Sequence, residues 1–195
     1  MISKKLLRRL KRQFRAMAQK LFLWGYRAMA RTAHKLHMAH SVSQQRAEFL
    51  EENFFELSFQ DREPDRAVFD CITDPAELHY LADGYNWDDG PELLEWIISS
   101  PLCDQGTAAL IFWRAQPDDY TEYASDEEMS CPDGVVTLLQ HIITNWEQGF
   151  YTRSNIAYNR SEDPGAGTIC HSTSRKWNIP AFLLEPTPGQ PFLNA

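Results

Sequence analysis

The feature that most constrains the fold is residues 74–115, where apolar periodicity and helix-ending residues are densest. The pattern predicts three consecutive helices. Asp74 suits the N-cap of the first, Pro75 suits its first helical position, and Glu77 has the spacing of a capping box. Leu78, Leu81 and Ala82 recur at three and four residues, which predicts one buried helix face.

Turn residues separate the first predicted helix from the second. Gly84 is placed to end the first helix, and residues 86–91 combine Asn, Asp, Gly and Pro, which favour turns. Pro91 restarts a helix whose predicted apolar side is Leu93, Leu94, Trp96, Ile97 and Ile98. Residues 107–113 have almost no polar face, yet they are too short to span a membrane. We therefore expect a helix buried on most sides at the centre of the fold.

The predicted fold class is mainly α: a compact bundle of short helices in helix-turn-helix succession. Further apolar periodicity at residues 44–57 and 135–146 predicts two more helices. A small β element near residues 150–180 is a further expectation, since Ile156 and Tyr158 alternate as strand residues do. The predicted divisions are an arm over residues 1–43, a domain over 44–185 and a proline-rich tail over 186–195.

Charge divides the chain sharply. Of its 19 basic residues, 12 lie within residues 1–47, which contain no acidic residue. The other seven share residues 48–195 with all 27 acidic residues, so the two parts carry +12 and −20. An acidic body repels nucleic acid and anionic lipid, whereas a basic arm attracts both.

The arm is predicted to be a basic amphipathic helix over residues 1–32. Its candidate anion-contacting residues are Lys4, Lys5, Arg8, Arg12 and Arg15. Such a helix could lie on an anionic membrane surface, contact nucleic acid phosphates, or pack on the acidic body or on a second copy of the chain. Nucleic acid is the least favoured of these partners. The expected location is the cytoplasm, with peripheral attachment to an inner membrane as the alternative.

Two segments carry a resemblance to a known family. They are YNWDDG at residues 85–90 and CDQGTAALIFW at residues 103–113. The chain resembles a bacterial domain-of-unknown-function family marked by a YNWDDG turn and a CD-x-GTA-x-x-IF segment, over roughly residues 74–160. The resemblance implies a small, mainly helical, non-catalytic domain. Some such domains accompany toxins as immunity proteins.

Two acidic stretches are the candidate partner-binding surfaces. The first contains Asp88, Asp89 and Glu92, and the second contains Asp118, Asp119, Asp126, Glu127 and Glu128. The second stretch, residues 116–134, is predicted to be an exposed loop. Structural roles are also open in the first stretch, because Asp88 or Asp89 could cap the helix that begins at Pro91, and Trp87 could anchor the core. Asp104 is predicted to cap the helix that follows it.

Catalytic and metal-binding motifs give little support for an enzyme. The chain lacks a P-loop, a nucleophile-elbow serine motif and a metalloprotease helix. Asp83, Asp88, Asp89 and Glu92 could together bind a cation or perform acid-base chemistry, which would require a shared concave pocket. The row of His34, His37 and His40 has helical spacing but no neighbouring carboxylate, so no metal or cofactor is predicted.

The four cysteines, Cys71, Cys103, Cys131 and Cys170, have no paired spacing, and we expect free thiols. The favoured function is a non-catalytic interaction protein that binds a basic protein partner, such as a toxin, through an acidic face. The alternatives are a peripheral membrane protein attached through the arm and an enzyme that uses the four carboxylates at residues 83–92.

Overall fold

The computed structural model describes residues 41–169 and 174–193. All of them belong to one unit, residues 39–193. The predicted arm helix at residues 1–32 and the histidine row at 34–40 lie outside the described residues. The described part contains six α-helices: α1 Gln44–Phe54, α2 Arg66–Phe69, α3 Pro75–Gly84, α4 Glu92–Ile98, α5 Gln105–Arg114 and α6 Val135–Glu147.

Short 3₁₀ helices fill several connections between these helices. They are Leu57–Gln60, Trp87–Asp89, Pro117–Tyr120, Asp126–Glu128 and Ala181–Leu183. The mainly α fold class predicted from the sequence is therefore confirmed. No helix within the described residues is long and apolar enough to cross a membrane.

Helix α5 forms the centre of the unit, as the sequence predicts. Every residue from Gly106 to Trp113 is buried, and the helix packs against α3, α4 and α6. Asp104 caps its N-terminus by accepting a hydrogen bond from the N–H of Gly106 at 3.0 Å. Gly106 also permits a close backbone approach, because a Cβ there would lie 2.1 Å from the carbonyl oxygen of Ile156.

Helix α3 begins as predicted but uses its glutamate differently. Asp74 caps the helix through the N–H of Ala76 at 2.9 Å, and Leu78, Leu81 and Ala82 are buried. The carboxylate of Glu77, 8% exposed, accepts two hydrogen bonds from Arg46, at 2.6 and 2.8 Å. A long-range pair that ties α1 to α3 therefore replaces the predicted reciprocal capping box.

In helix α4 the predicted apolar side is confirmed for four of its five residues. Leu93, Leu94, Ile97 and Ile98 are buried. Trp96 is only half-buried, with its ring 5.6 Å from that of Phe69 and 5.3 Å from the guanidinium of Arg66. It therefore seals the edge of the core against α2.

The β element expected near residues 150–180 does not form a strand within the described residues. Three isolated bridges occur instead: Asp104 with Arg153, Ile156 with Gln190, and Tyr158 with Thr187. Two of them involve the segment predicted as a tail. Thr187 is buried, and its hydroxyl accepts a hydrogen bond from the N–H of Tyr158 at 2.7 Å. Residues 187–190 thus cover the extended chain that packs over the N-terminus of α5.

The described cysteines are free thiols, in agreement with the expectation for Cys71, Cys103 and Cys131. Cys103 is fully buried, and this burial, with the nearby charge of Asp104, raises the pKa of its thiol. A raised pKa disfavours the thiolate, which is the reactive form. Cys170 lies outside the described residues.

Candidate partner-binding surface

The YNWDDG turn connects α3 to α4 and is held mainly by its own atoms. The hydroxyl of Tyr85 donates to the carbonyl oxygen of Gly90 at 2.5 Å, and the side chain of Asn86 accepts from the N–H of Asp88 at 3.3 Å. Gly90 has φ +82°, a left-handed conformation that favours glycine. Trp87 is half-buried and meets the ring of Tyr85 edge-on, so it is not the fully buried core anchor considered in the sequence analysis.

Asp89 has a long-range role that the sequence analysis missed. Its carboxylate accepts the backbone N–H groups of Leu57 and Ser58 at 3.3 and 3.1 Å. It therefore caps the 3₁₀ helix Leu57–Gln60 rather than α4. The N-cap position of α4 is Pro91, which provides no side-chain hydrogen bond, so the predicted capping of α4 by Asp88 or Asp89 is wrong.

The four carboxylates at residues 83–92 do not share one site. A carboxylate oxygen of Asp83 lies 2.6 Å from the guanidinium of Arg114. The carboxylate of Asp89 accepts the backbone N–H groups of Leu57 and Ser58. Asp88 and Glu92 are exposed. In the described part of the chain no group of three or more His, Cys, Asp or Glu side chains could hold a metal ion. Asp88 and Asp89 line one small cavity, and Asp83 and Glu92 are not among the described residues that line it.

The second acidic stretch is less exposed than predicted. Asp126 is 8% exposed and caps α6, accepting hydrogen bonds from the N–H groups of Val136 and Thr137 at 3.2 and 2.9 Å. Asp118 pairs with Arg175, and Glu128 pairs with Lys176 at 2.7 Å. Asp89, Asp118 and Asp126 thus bind other parts of the chain and are poorly placed to bind a partner.

The five remaining predicted contact residues are exposed, and apart from Glu128, which pairs with Lys176, they are Asp88, Glu92, Asp119 and Glu127. Within residues 41–169 and 174–193, none of these four forms a salt bridge. Asp133, which precedes Gly134, is also exposed and free of salt bridges in this part of the chain. Asp133 belongs to the second acidic stretch but was not among the predicted contact residues. Its position before a helix-starting glycine was the available sequence signal for it.

The fold brings the two acidic stretches together. A Cβ on Gly134 would lie only 2.9 Å from Cγ of Pro91, so the start of α6 touches the start of α4. Asp133 directly precedes Gly134 in the sequence, and Glu92 directly follows Pro91. We call the five exposed carboxylates, Asp88, Glu92, Asp119, Glu127 and Asp133, the acidic surface.

Two tyrosines near this surface have raised pKa values. Burial, a 2.8 Å hydrogen bond to Asp133, and the charges of Asp133, Asp119 and Asp126 together raise the pKa of Tyr120. Burial and the charges of Asp89 and Glu92 raise the pKa of Tyr85. Burial is the main cause of both shifts, and nearby carboxylates add to it. Next to Asp119 and Glu127, Asp118 pairs with Arg175 and Glu128 pairs with Lys176.

A small cavity of about 90 Å³ lies beside the acidic surface. It is bounded by the YNWDDG turn on one side and by residues 57–64 on the other, and Asp88 lines both the cavity and the acidic surface.

The fold is that of a mainly α-helical domain, and the acidic surface lies on its described part. Residues 73–142 match a family model described as a domain of unknown function (DUF4274). The match covers α3, α4, α5 and the first part of α6, and it includes the YNWDDG turn and the second acidic stretch. The expected resemblance to a domain-of-unknown-function family is confirmed over these residues. No curated protein and no solved structure gives a significant match to the chain.

Proposed function

We propose that this chain is a non-catalytic interaction protein that binds a basic protein partner through the acidic surface. The observation that carries the proposal is a set of five exposed carboxylates, without salt bridges in the described chain, on the two connections that lead into α4 and α6 and on the first residue of α4. The excess of acidic residues in residues 48–195 supports it, because a large net charge of one sign extends the attraction beyond the contact itself.

An immunity-type role is the specific form of this proposal. The partner would then be a toxin with a basic active-site cleft, which the acidic surface would cover. Complementary charges speed the encounter of two proteins and disfavour partners of the wrong sign. The acidic surface sits on two helix starts and a glycine turn that are fixed by the core, so it is presented with little need for rearrangement.

Neutralising the acidic surface is expected to slow partner association. The test variant is Asp88→Asn, Glu92→Gln, Asp119→Asn, Glu127→Gln, since these side chains are exposed and cap no helix. Loss of electrostatic steering lowers association rates by roughly 10-fold or more at low salt. The partner is first recovered from native lysate with the intact chain as bait, and its association rate is then measured for each variant.

The matched control removes the same charge elsewhere, with Glu48→Gln, Glu147→Gln, Glu162→Gln and Glu185→Gln, all exposed positions. Zero-length carbodiimide coupling, which joins lysine amines to carboxylates, should link the partner to the acidic surface. Equal association rates for the two variants, or cross-links confined to the control positions, would count against this surface.

The alternative proposal is membrane attachment through the basic arm. The sequence feature behind it is the absence of acidic residues from residues 1–47, with Lys4, Lys5, Arg8, Arg12 and Arg15 on the polar side of the predicted helix. Each basic residue near an anionic bilayer contributes about 1 kcal/mol. The intact chain should sediment with phosphatidylglycerol vesicles and not with phosphatidylcholine vesicles, and replacing the five residues by Gln should abolish this. Indifference to lipid charge would contradict attachment by the arm.

A further inference from the structure

The cavity beside the acidic surface combines an apolar floor with an acidic rim. Phe54, Leu57 and Leu93 supply buried apolar side chains to its lining. Glu63, Asp88 and Asp89 supply carboxylates from its two sides. A volume of about 90 Å³ is far below the roughly 300–1,000 Å³ of sites that enclose small organic ligands. The cavity has room for the end of one long side chain.

The charge of this cavity is negative. Among the described residues that line it, Arg62 is the one basic residue, and its guanidinium donates to the carbonyl oxygen of Glu52 at 3.2 Å and to the side chain of Gln60 at 3.1 Å. The carboxylate of Asp89 accepts hydrogen bonds from two backbone N–H groups, those of Leu57 and Ser58. Glu63 and Asp88 are exposed, and neither side chain forms a salt bridge in the described chain.

We infer that this cavity is a socket for one lysine or arginine side chain of the basic partner. The inference rests on the proposed function and names the contact at which the partner is anchored. Lysine and arginine pack their methylene stems on apolar surface while the charged end reaches polar groups. The floor would take the stem, and Glu63 and Asp88 would meet the cationic end.

An exposed aromatic side chain stands next to the socket. Phe59 follows Ser58, a lining residue, and is 55% exposed. The 3₁₀ helix that carries it is flanked by Glu56 and Asp61, both non-glycine residues at positive φ, 55° and 51°. Such conformations cost free energy and often mark binding sites. Exposed aromatic rings are frequent anchors of protein interfaces, so Phe59 gives the partner an apolar contact beside the socket.

The socket is tested with single amino-acid probes on the intact, ¹⁵N-labelled chain. N-acetyl-lysine methylamide is titrated and followed by amide chemical shifts, with the norleucine and glutamate analogues as controls for the stem and for the charge. We expect saturable shifts at Leu57, Ser58, Asp88 and Asp89 with the lysine probe, and at least 10-fold weaker binding of both controls. Absence of saturable shifts there, or equal binding of norleucine, would overturn the inference.

Variants test the charged end of the socket. The double variant Glu63→Gln, Asp88→Asn should bind the lysine probe at least 5-fold more weakly. The control variant Glu147→Gln, Glu185→Gln has the same change in charge and should bind the probe as tightly as the wild type does. The outcome also separates the two proposals. Partner cross-links to Glu92 and Asp119 with no lysine-probe binding would refute only the socket. Lysine-probe binding with no protein partner on the acidic surface would refute only the proposed function.

Discussion

Replacing Asp104 by alanine is expected to lower the free energy of unfolding by on the order of 4 kcal/mol. The side chain is fully buried, and its two oxygens accept three backbone hydrogen bonds: from Gly106 at 3.0 Å, Ile156 at 3.3 Å and Asn155 at 2.7 Å. Each buried N–H left without a partner costs about 1–3 kcal/mol, and the loss of the helix cap adds to this. Urea unfolding followed by tryptophan fluorescence measures the change.

Asp74 provides the matched control, because it caps α3 in the same way. It is exposed and accepts one backbone hydrogen bond, from Ala76 at 2.9 Å. Asp74→Ala should therefore cost only about 1 kcal/mol. A similar loss for both variants would mean that Asp104 acts only as a cap, and that its bonds to residues 155 and 156 add nothing to stability.

This contrast shows what could be predicted from the sequence. Both aspartates were identified as caps, because a cap depends on residues two or three positions away. The second role of Asp104 depends on residues 155 and 156, which no local pattern connects to it. Helix α5 was placed correctly for a related reason: a run without a polar face can only be buried.

The candidate site was predictable in composition but not in detail. Charge counting identified both acidic stretches, yet Asp89, Asp118 and Asp126 turned out to bind distant parts of the chain. Each of these contacts joins residues 10 or more positions apart, so local spacing could not show it. The junction of the two stretches at Pro91 and Gly134 also required the fold.

The second large effect is expected at Arg114, whose replacement by methionine should destabilise the fold by about 3 kcal/mol. Its guanidinium lies 2.6 Å from a carboxylate oxygen of Asp83 and 2.9 Å from one of Asp163, and it donates to the carbonyl oxygen of Asp83 at 2.6 Å. The Arg114, Asp83 and Asp163 side chains are 22, 18 and 8% exposed. Removing the shared cation leaves two largely buried carboxylates unpaired, which is strongly destabilising.

Neutralising Asp83 and Asp163 tests whether their unpaired charges cause the loss of stability. Adding Asp83→Asn and Asp163→Asn to Arg114→Met should restore at least half of the lost stability, because uncharged side chains cost less to bury than unpaired carboxylates. If the triple variant is as unstable as Arg114→Met alone, the loss reflects side-chain packing rather than charge.

Lower pH should reduce the difference in the free energy of unfolding between wild type and Arg114→Met. Burial of Asp163 opposes ionisation, but the hydrogen bonds and charge of Arg114, together with hydrogen bonds from the N–H of Gly165 and the hydroxyl of Tyr158, outweigh it and lower the pKa of Asp163. A lowered pKa in the folded state adds stability above the unfolded value, about 3.9, and this stability is lost as the pH falls through the folded pKa. In Arg114→Met, Asp163 lacks this cation, so burial should raise its pKa, and its protonation would relieve part of the destabilisation. The stability difference, measured by urea unfolding, should therefore be largest near pH 7 and shrink toward pH 4 and below. A difference that stays constant over this range would show that the ion pair between Arg114 and Asp163 does not cause the loss of stability.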